Sequence, residues 1–166
     1  MNVVIVGGGS GYQKVVEYLE EEMWPEVTIW AVASIYPALQ SYPIDRVFEI
    51  HKQEKWAAFD YPRLGNRLVL PYHSPICSEA HVLPLDGLSK MYGVLFSSTI
   101  AWMVAAALSA QAKEITLLGV DMSTSSEYGK QRDGLFFLLG QAKALGVDIH
   151  IPTDSQINIF GQQYGE

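Results

Sequence analysis

The feature that most constrains the fold is an alternation of short apolar runs with stretches of helical character. The runs have the length and β-branched content of strands, and they lie at residues 2–6, 27–32, 47–50, 67–70, 81–83, 114–120 and 147–151. Three helices are predicted. The first begins at a capping box formed by Ser10 and Gln13, the second runs from Ser97 or Ser98 to about Ala112, and the third covers Gly134–Leu145 with Asp133 as its N-cap. A helical turn is possible over Trp56–Tyr61. Such alternation requires right-handed crossovers and predicts an α/β domain with a mostly parallel central sheet.

Length and composition predict one globular domain over residues 1–166. The formal net charge is −7 with eleven Lys and Arg, so a basic nucleic-acid-binding surface is not expected. The sequence contains no apolar run long enough to span a bilayer and no signal-peptide pattern, and Cys77 is its single cysteine. These observations favour a cytoplasmic protein that makes no contact with membranes or nucleic acid.

The loop after the first strand, Gly7–Gly11 with the sequence GGGSG, is a candidate phosphate site. Gly7, Gly8, Gly9 and Ser10 would let a ligand approach the backbone at the start of a helix. The loop is neither G-x-G-x-x-G nor a Walker A motif, and Ser34 follows the second strand where NAD-binding proteins place an acidic residue. NAD is therefore disfavoured, and a tight turn that binds no ligand is the alternative.

Two further segments are predicted at the same edge of the sheet, because ligands bind at the carboxyl ends of parallel strands. Ser97 and Ser98 open a helix and suit an anion, with ordinary helix capping as the alternative. Asp121 ends a strand and could accept a sugar hydroxyl, bind a metal or act as a base, or it could cap the next loop.

The segment after Asp121 carries four polar side chains of different chemistry. They are an acid, a phenol, an amide and a cation: Glu127, Tyr128, Gln131 and Arg132. Arg132 is the best candidate in this segment to hold a phosphate or carboxylate. A solvated loop explains each residue singly, whereas a binding-site wall explains the group.

The histidines do not form a metal site. His51, His73, His81 and His150 are not paired at metal-ligand spacing, and one cysteine cannot complete a zinc site, so we predict no metal held by protein ligands alone. His51 follows the third strand at the predicted ligand edge and is the one candidate for acid–base chemistry, with a structural histidine as the alternative.

Residues 97–122, SSTIAWMVAAALSAQAKEITLLGVDM, resemble the Ser-rich helix and K-E-I-x-L-x-G-x-D strand of bacterial sialyltransferase-like proteins. The layout is also similar to archaeal-type pterin pyrophosphokinase-like proteins. A longer pattern resembles small phage-encoded proteins and comprises Gly119–Met122, Glu127–Tyr128, Gln131–Arg132, Gly146, Pro152 and Ser155. The resemblance implies a Rossmann-like three-layer fold. It also implies a cytidine nucleotide or similar donor held by Gly7, Gly9, Ser10, Ser97, Ser98 and Asp121.

These features predict a nucleotide- or nucleotide-sugar-binding Rossmann-like protein, transferase-like or ester-cleaving if it is an enzyme. Asp121 and His51 are the predicted catalytic residues, and a divalent cation could accompany the nucleotide. The alternative is a non-enzymatic module that kept the fold and sequesters a ligand or binds a partner. Two absences favour it: the Asn of the related W-A-x-N-like segment is missing from Trp30–Ser34, and the sequence has no counterpart of the sialyltransferase catalytic region. A homo-oligomer is also predicted. If Leu135, Leu138, Leu139, Ala142 and Leu145 form the buried stripe, then Phe136 and Phe137 cannot both face the core.

Overall fold

The protein is built around a seven-stranded sheet in which every described pair of neighbouring strands is parallel. The computed structural model describes residues 1–9, 12, 15, 17, 27–56, 59–93, 96–122 and 126–157, without the side chains of 126–128. The strands are β1 Asn2–Val6, β2 Val27–Val32, β3 Arg46–Phe48, β4 Leu68–Leu70, β5 His81–Val82, β6 Glu114–Leu118 and β7 Asp148–His150. The helices are α1 Tyr36–Leu39, α2 Leu85–Tyr92, α3 Thr99–Ser109 and α4 Ser126–Ala144, with 3₁₀ turns at Gln53–Lys55, Tyr61–Arg67 and Pro75–Cys77.

The strand order β5-β4-β3-β2-β1-β6-β7 fixes where the chain changes direction across the sheet. From β1 the chain adds strands on one side as far as β5, and it then returns to place β6 on the other side of β1. The carboxyl ends of β1 and β6 therefore border a topological switch point, the usual ligand position in open parallel sheets.

The central strands are buried on both faces, which explains their continuous apolar sequences. In β1, Val3 and Ile5 belong to one hydrophobic cluster and Val4 and Val6 to the other. The first cluster includes residues of α2, α3 and α4, and the second includes α1 and the 3₁₀ turn at Tyr61–Arg67. The molecule is thus an α/β Rossmann-like three-layer fold, as the sequence predicts.

Helix α3 begins as predicted, since Ser98 is its N-cap and accepts a hydrogen bond from the Ala101 backbone N–H at 3.1 Å. Its small residues Ala101 and Ala105 are buried against the sheet.

No helix in the described part of the chain has the length and apolar content needed to cross a membrane.

The predicted start of the last long helix is wrong. Helix α4 begins at Ser126, so Asp133 lies within the helix and is not its N-cap, and Gln131 and Arg132 are helical. Leu135, Leu138, Leu139 and Ala142 are buried as predicted, but Leu145 is 64% exposed because the helix ends at Ala144.

Several other boundaries also differ from the prediction. Strand β3 ends at Phe48, two residues before the predicted end, so His51 lies in the loop beyond it. The helices α1 and α2 were not predicted, because each is short and contains Pro or Gly. The helix predicted from Ser10 lies largely outside the described residues.

Candidate functional site

A cleft of about 760 Å³ opens at the switch point, beside the carboxyl ends of β1, β2 and β6. Its volume lies within the range of small-molecule binding pockets, which is roughly 300–1,000 Å³. The sequence-predicted residues that line it are Gly7, Gly8, Gly9, Ser34, His51, Ser97, Ser98, Asp121 and Gln131. The fold therefore brings together side chains from β-strand ends, a helix start and α4 that are far apart in sequence.

Four predicted ligand residues have no described place in this cleft. Ser10 and the side chains of Glu127 and Tyr128 lie outside the described residues. The guanidinium of Arg132 stacks over the Phe136 ring, 5.2 Å from its centroid, and Arg132 is not among the cleft-lining residues. Its predicted role as an anion clamp stays a prediction.

The glycine loop is packed against the loop that follows β6. Gly7 N–H donates to the Leu118 carbonyl at 2.8 Å, and Gly9 N–H donates to the Gly119 carbonyl at 2.7 Å. A Cβ on Gly7 would lie 2.5 Å from the Gly119 oxygen, and one on Gly9 would lie 2.8 Å from the same oxygen. Glycine is required at both positions because two backbones meet there, a structural reason independent of any ligand.

Gly8 lines the cleft together with Gly7 and Gly9 but differs from them because it is exposed. A Cβ at Gly8 would have Ser34 Oγ as its nearest contact, at 3.5 Å. Gly8 and Ser34 therefore form a small polar surface between the ends of β1 and β2. Within the Gly7–Gly9 segment, this is where a ligand could approach the backbone closely.

The hydroxyl groups of the two predicted serines are both engaged within the protein. Ser98 Oγ caps α3, and Ser97 Oγ donates to the carbonyls of Lys130 and Gln131 in α4 at 3.0 and 3.3 Å. The capping interpretation is therefore correct for Ser98. It leaves the backbone N–H groups of Thr99 and Ile100, which line the cleft, without a partner among the described residues. These N–H groups, at the positive end of the helix dipole, are the local anion donors.

Asp121 lies opposite the glycine loop. A Cβ on Gly9 would lie 2.9 Å from Asp121 Oδ2, so the half-buried carboxylate is held close to this backbone. The next residue, Met122, has a φ of +46°, which is uncommon for a side-chain-bearing residue. Ser155 Oγ donates to the Val120 carbonyl at 2.9 Å and fastens the 151–157 segment beside the cleft, where Gln156 joins the lining.

Glu49 was not predicted as a site residue, yet it contacts His51, which lines the cleft. Glu49 is 6% exposed, and its Oε1 lies 2.7 Å from His51 Nδ1, while its Oε2 accepts from the Tyr61 hydroxyl at 2.9 Å. The sequence does show an acidic residue, Glu49, two positions before His51 at the end of a buried strand. It does not show that the carboxylate contacts Tyr61, because Tyr61 lies twelve residues later in the chain.

The charge of the cleft is modest. Among the described lining residues, Asp121 and His51 are the two with titratable side chains, and none is Lys or Arg. Among the described residues, no group of three or more His, Cys, Asp or Glu side chains could hold a metal ion. An anionic ligand would therefore be held through backbone N–H groups and not through paired cations.

No protein-family model and no curated protein matches the sequence. Among solved structures, the chain is similar to the sialyltransferase CstII from Campylobacter jejuni in complex with the substrate analogue CMP-3FNeuAc, at 13% identity and a TM-score of 0.46, over 90% of this chain and 79% of that chain. A second CstII structure, in complex with cytidine-5'-monophosphate, gives 14% identity and a TM-score of 0.42 over 90% and 78% of the two chains. The short chain dehydrogenase/reductase YIR035C from Saccharomyces cerevisiae is similar at 18% identity and a TM-score of 0.35, over 92% of this chain and 70% of that chain.

Similarities at these identities and TM-scores assign no activity to the chain, and the Rossmann-like relationship rests on the order and direction of the strands. The resemblances to pterin pyrophosphokinase-like and phage-encoded proteins stay predictions.

Proposed function

We propose that the protein binds a nucleotide, such as the nucleotide part of a nucleotide-sugar, in the switch-point cleft. The observation that carries the proposal is the meeting of three features at one place: free helix N–H groups at Thr99 and Ile100, an open backbone position at Gly8, and the carboxylate of Asp121. A nucleotide combines a phosphate with hydroxyl groups and an amide-bearing base, and it needs donors and acceptors side by side.

The phosphate is assigned to the start of α3. The N–H groups of Thr99 and Ile100 point along the helix axis at its positive end, and backbone donors there bind anions without a cationic side chain. This arrangement suits a chain with a net charge of −7, which offers no favourable long-range field for an anion.

The hydroxyl-bearing part of the ligand is assigned to the opposite side of the cleft. Asp121 can accept hydrogen bonds from ribose or sugar hydroxyls, and Gln131 and Gln156 can both donate and accept. A divalent cation, if required, would be shared between Asp121 and the ligand phosphates, because the described residues supply one carboxylate at the cleft.

If the protein is an enzyme, the class favoured is group transfer from, or cleavage of, a phosphorylated donor. Among the described residues that line the cleft, Asp121 and His51 have side chains that can move a proton or stabilise charge at a reacting atom. Their roles stay proposals.

Calorimetric titration with CMP, CDP, UDP, ADP and NAD, with and without Mg²⁺, tests the proposal. We expect heat and a thermal shift with at least one nucleotide, and the weakest response with NAD. Replacing Asp121→Asn should raise the Kd about ten- to a hundredfold, because hydrogen bonds to a charged group contribute about 1.5–3 kcal/mol. Asp148→Asn is the matched control, because Asp148 is exposed at the amino end of β7, whereas the cleft lies at the carboxyl ends of the strands.

Binding with no effect of Asp121→Asn would move the ligand away from the proposed position. Binding by neither protein, with any nucleotide, would exclude the proposed function. Binding that persists in Asp121→Asn at reduced affinity, without turnover in either protein, would identify a module that binds and does not catalyse.

A further inference from the structure

His51 is an exposed side chain whose polar atoms are nevertheless held by three other side chains. Its Nδ1 lies 2.7 Å from Glu49 Oε1, and its backbone N–H donates to the same oxygen at 2.9 Å. Its carbonyl accepts from Trp56 Nε1 at 3.1 Å and from the Tyr72 hydroxyl at 3.4 Å. Burial raises the pKa of the Tyr72 phenol, so this hydroxyl keeps its proton as a donor. His51 is one of the residues that line the cleft, and its side chain is 57% exposed.

The Glu49 carboxylate, which contacts His51, is itself fixed by hydrogen bonds. Its carboxylate is buried, and the second oxygen accepts from Tyr61, whose ring stacks on Trp56 at 4.5 Å and on Phe59 at 3.9 Å. Within the described part of the chain, His51 is the one cation-forming side chain within 4 Å of this carboxylate. Burying a carboxylate costs free energy unless hydrogen bonds compensate, and three hydrogen bonds do so here.

We propose that Glu49 is a positioning residue that fixes the neutral His51 ring in its Nδ1–H tautomer, so that Nε2 is a basic nitrogen facing the cleft. An ionised carboxylate can only accept hydrogen bonds, so the proton of the neutral ring must lie on Nδ1. The lone pair of Nε2 is then available to a hydroxyl group of the ligand or to a water molecule. For the identity of the ligand, this inference rests on the proposed function.

In the proposed reaction, Nε2 of His51 accepts the proton of the attacking hydroxyl group. A water molecule or an acceptor hydroxyl gives its proton to Nε2, the O–H bond breaks, and the oxygen keeps that electron pair. The oxygen uses the pair to bond to the atom of the phosphorylated ligand that carries the leaving group. The bond from that atom to the leaving group breaks, and the leaving group departs with its electron pair. The imidazolium that forms is stabilised by the Glu49 carboxylate at Nδ1, as in other carboxylate–histidine pairs.

The tautomer is measured directly by long-range ¹H–¹⁵N correlation spectra of the unliganded protein, recorded where the rings are neutral. His51 is assigned by the loss of one of four histidine patterns in a His51→Gln variant. We expect a protonated Nδ1 and an unprotonated Nε2. A wild-type ring in the Nε2–H form would overturn the proposal without any further variant.

Two variants separate positioning from a merely structural role. Glu49→Met conserves volume and removes the acceptor, and it should shift His51 to the Nε2–H tautomer that free imidazole side chains favour. Tyr61→Phe removes the hydrogen bond to the second carboxylate oxygen, Oε2, and should leave the His51 tautomer unchanged. Retention of the Nδ1–H form in a folded Glu49→Met variant would contradict the positioning role of Glu49.

Acylation of Nε2 by diethyl pyrocarbonate, followed by mass spectrometry, tests the position of this nitrogen in the ligand site. We expect modification of His51 in the free protein and its loss when CMP, or whichever nucleotide gives heat, saturates the cleft. Modification that is unaffected by a bound nucleotide would contradict the proposed contact. If no nucleotide binds, the proposed function fails, whereas the tautomer still decides the inference about Glu49.

Discussion

Gly7, Gly8 and Gly9 follow one another in the sequence but have different surroundings. Gly7 and Gly9 lie against the backbone of Gly119, whereas Gly8 faces the cleft. The sequence GGGSG indicates that a backbone is approached closely, but it does not say whether by a ligand or by another strand. Part of this motif has a packing role, which is why the glycine pattern alone could not identify a ligand.

Substitution by alanine should separate the two roles. Gly7→Ala and Gly9→Ala place a Cβ within 3 Å of backbone oxygen, and we expect each to lower the free energy of unfolding by about 1–3 kcal/mol. Gly8→Ala, whose nearest contact would be 3.5 Å away, should change it by about 0.5 kcal/mol or less. Urea denaturation of the three variants measures this, and equal losses would contradict the packing role.

Cys77 offers a second prediction at the residue scale. Its thiol is buried, and desolvation raises the pKa of the thiol in the folded state. The unfolded chain therefore loses this proton first as the pH rises above about 8.5, so the Cys77 contribution to stability is complete below that pH and declines as the pH approaches the higher folded-state pKa.

Ellman's reagent should react slowly with the native protein and fast in denaturant, and stability at high pH should fall less in Cys77→Ala than in the wild type. Fast labelling of the native thiol, or an equal fall in both proteins, would contradict this assignment.

At the scale of elements, the strands and α3 could be predicted from sequence, and the start of α4 could not. The strands are marked by apolar runs and α3 by a serine cap before small buried residues, as at Ser98 and Ala101. The first turns of α4 are polar, so the helical pattern becomes visible only at its first large buried residue, Leu135. The contact of Glu49 with Tyr61 depends on the fold and has no local signal.

The start of α3 combines a cap with a hydrogen-bonded link to α4, and three serine variants distinguish these contributions. Ser98→Ala removes the cap and should cost about 0.5–2 kcal/mol, whereas Ser98→Asp, which restores an acceptor, should recover most of it. Ser97→Ala removes only the exposed hydrogen bonds to α4 and should cost no more than about 1 kcal/mol. Thermal unfolding of the three variants measures this, and a Ser97 loss larger than the Ser98 loss would contradict it.

For the whole molecule, the alternation of strands and helices predicts the parallel sheet, and the order of the strands explains where the cleft lies. The sequence does not give that order directly, because the return from β5 to β6 beside β1 depends on packing across the sheet. The ligand edge could be predicted because every carboxyl end of a parallel sheet lies on one side. The contents of the cleft could be predicted where a strand end or a helix start marks them, as for Asp121 beyond β6 and Ser98 at the start of α3. Gln156 could not be predicted, because it reaches the cleft only through the packing of the 151–157 segment.

The molecular surface carries a prediction about assembly. Phe137 on α4 is 44% exposed, while Phe136 is partly buried against the core. If Phe137 belongs to an oligomer surface, the wild type should sediment above 18.4 kDa and Phe137→Asp should shift toward the monomer. Ile76→Asp, at another exposed apolar residue outside α4, is the control and should leave the mass unchanged. An equal mass for the wild type and Phe137→Asp would contradict the oligomer.

The most direct test of nucleotide binding is a crystal structure of the protein soaked or grown with CMP, CDP, UDP and ADP in turn. We expect density in the switch-point cleft for at least one of them, with a phosphate within hydrogen-bonding distance of the Thr99 and Ile100 N–H groups and a ligand hydroxyl within hydrogen-bonding distance of the Asp121 carboxylate. A nucleotide bound elsewhere on the molecule, or a cleft without ligand density in every soak, would contradict it.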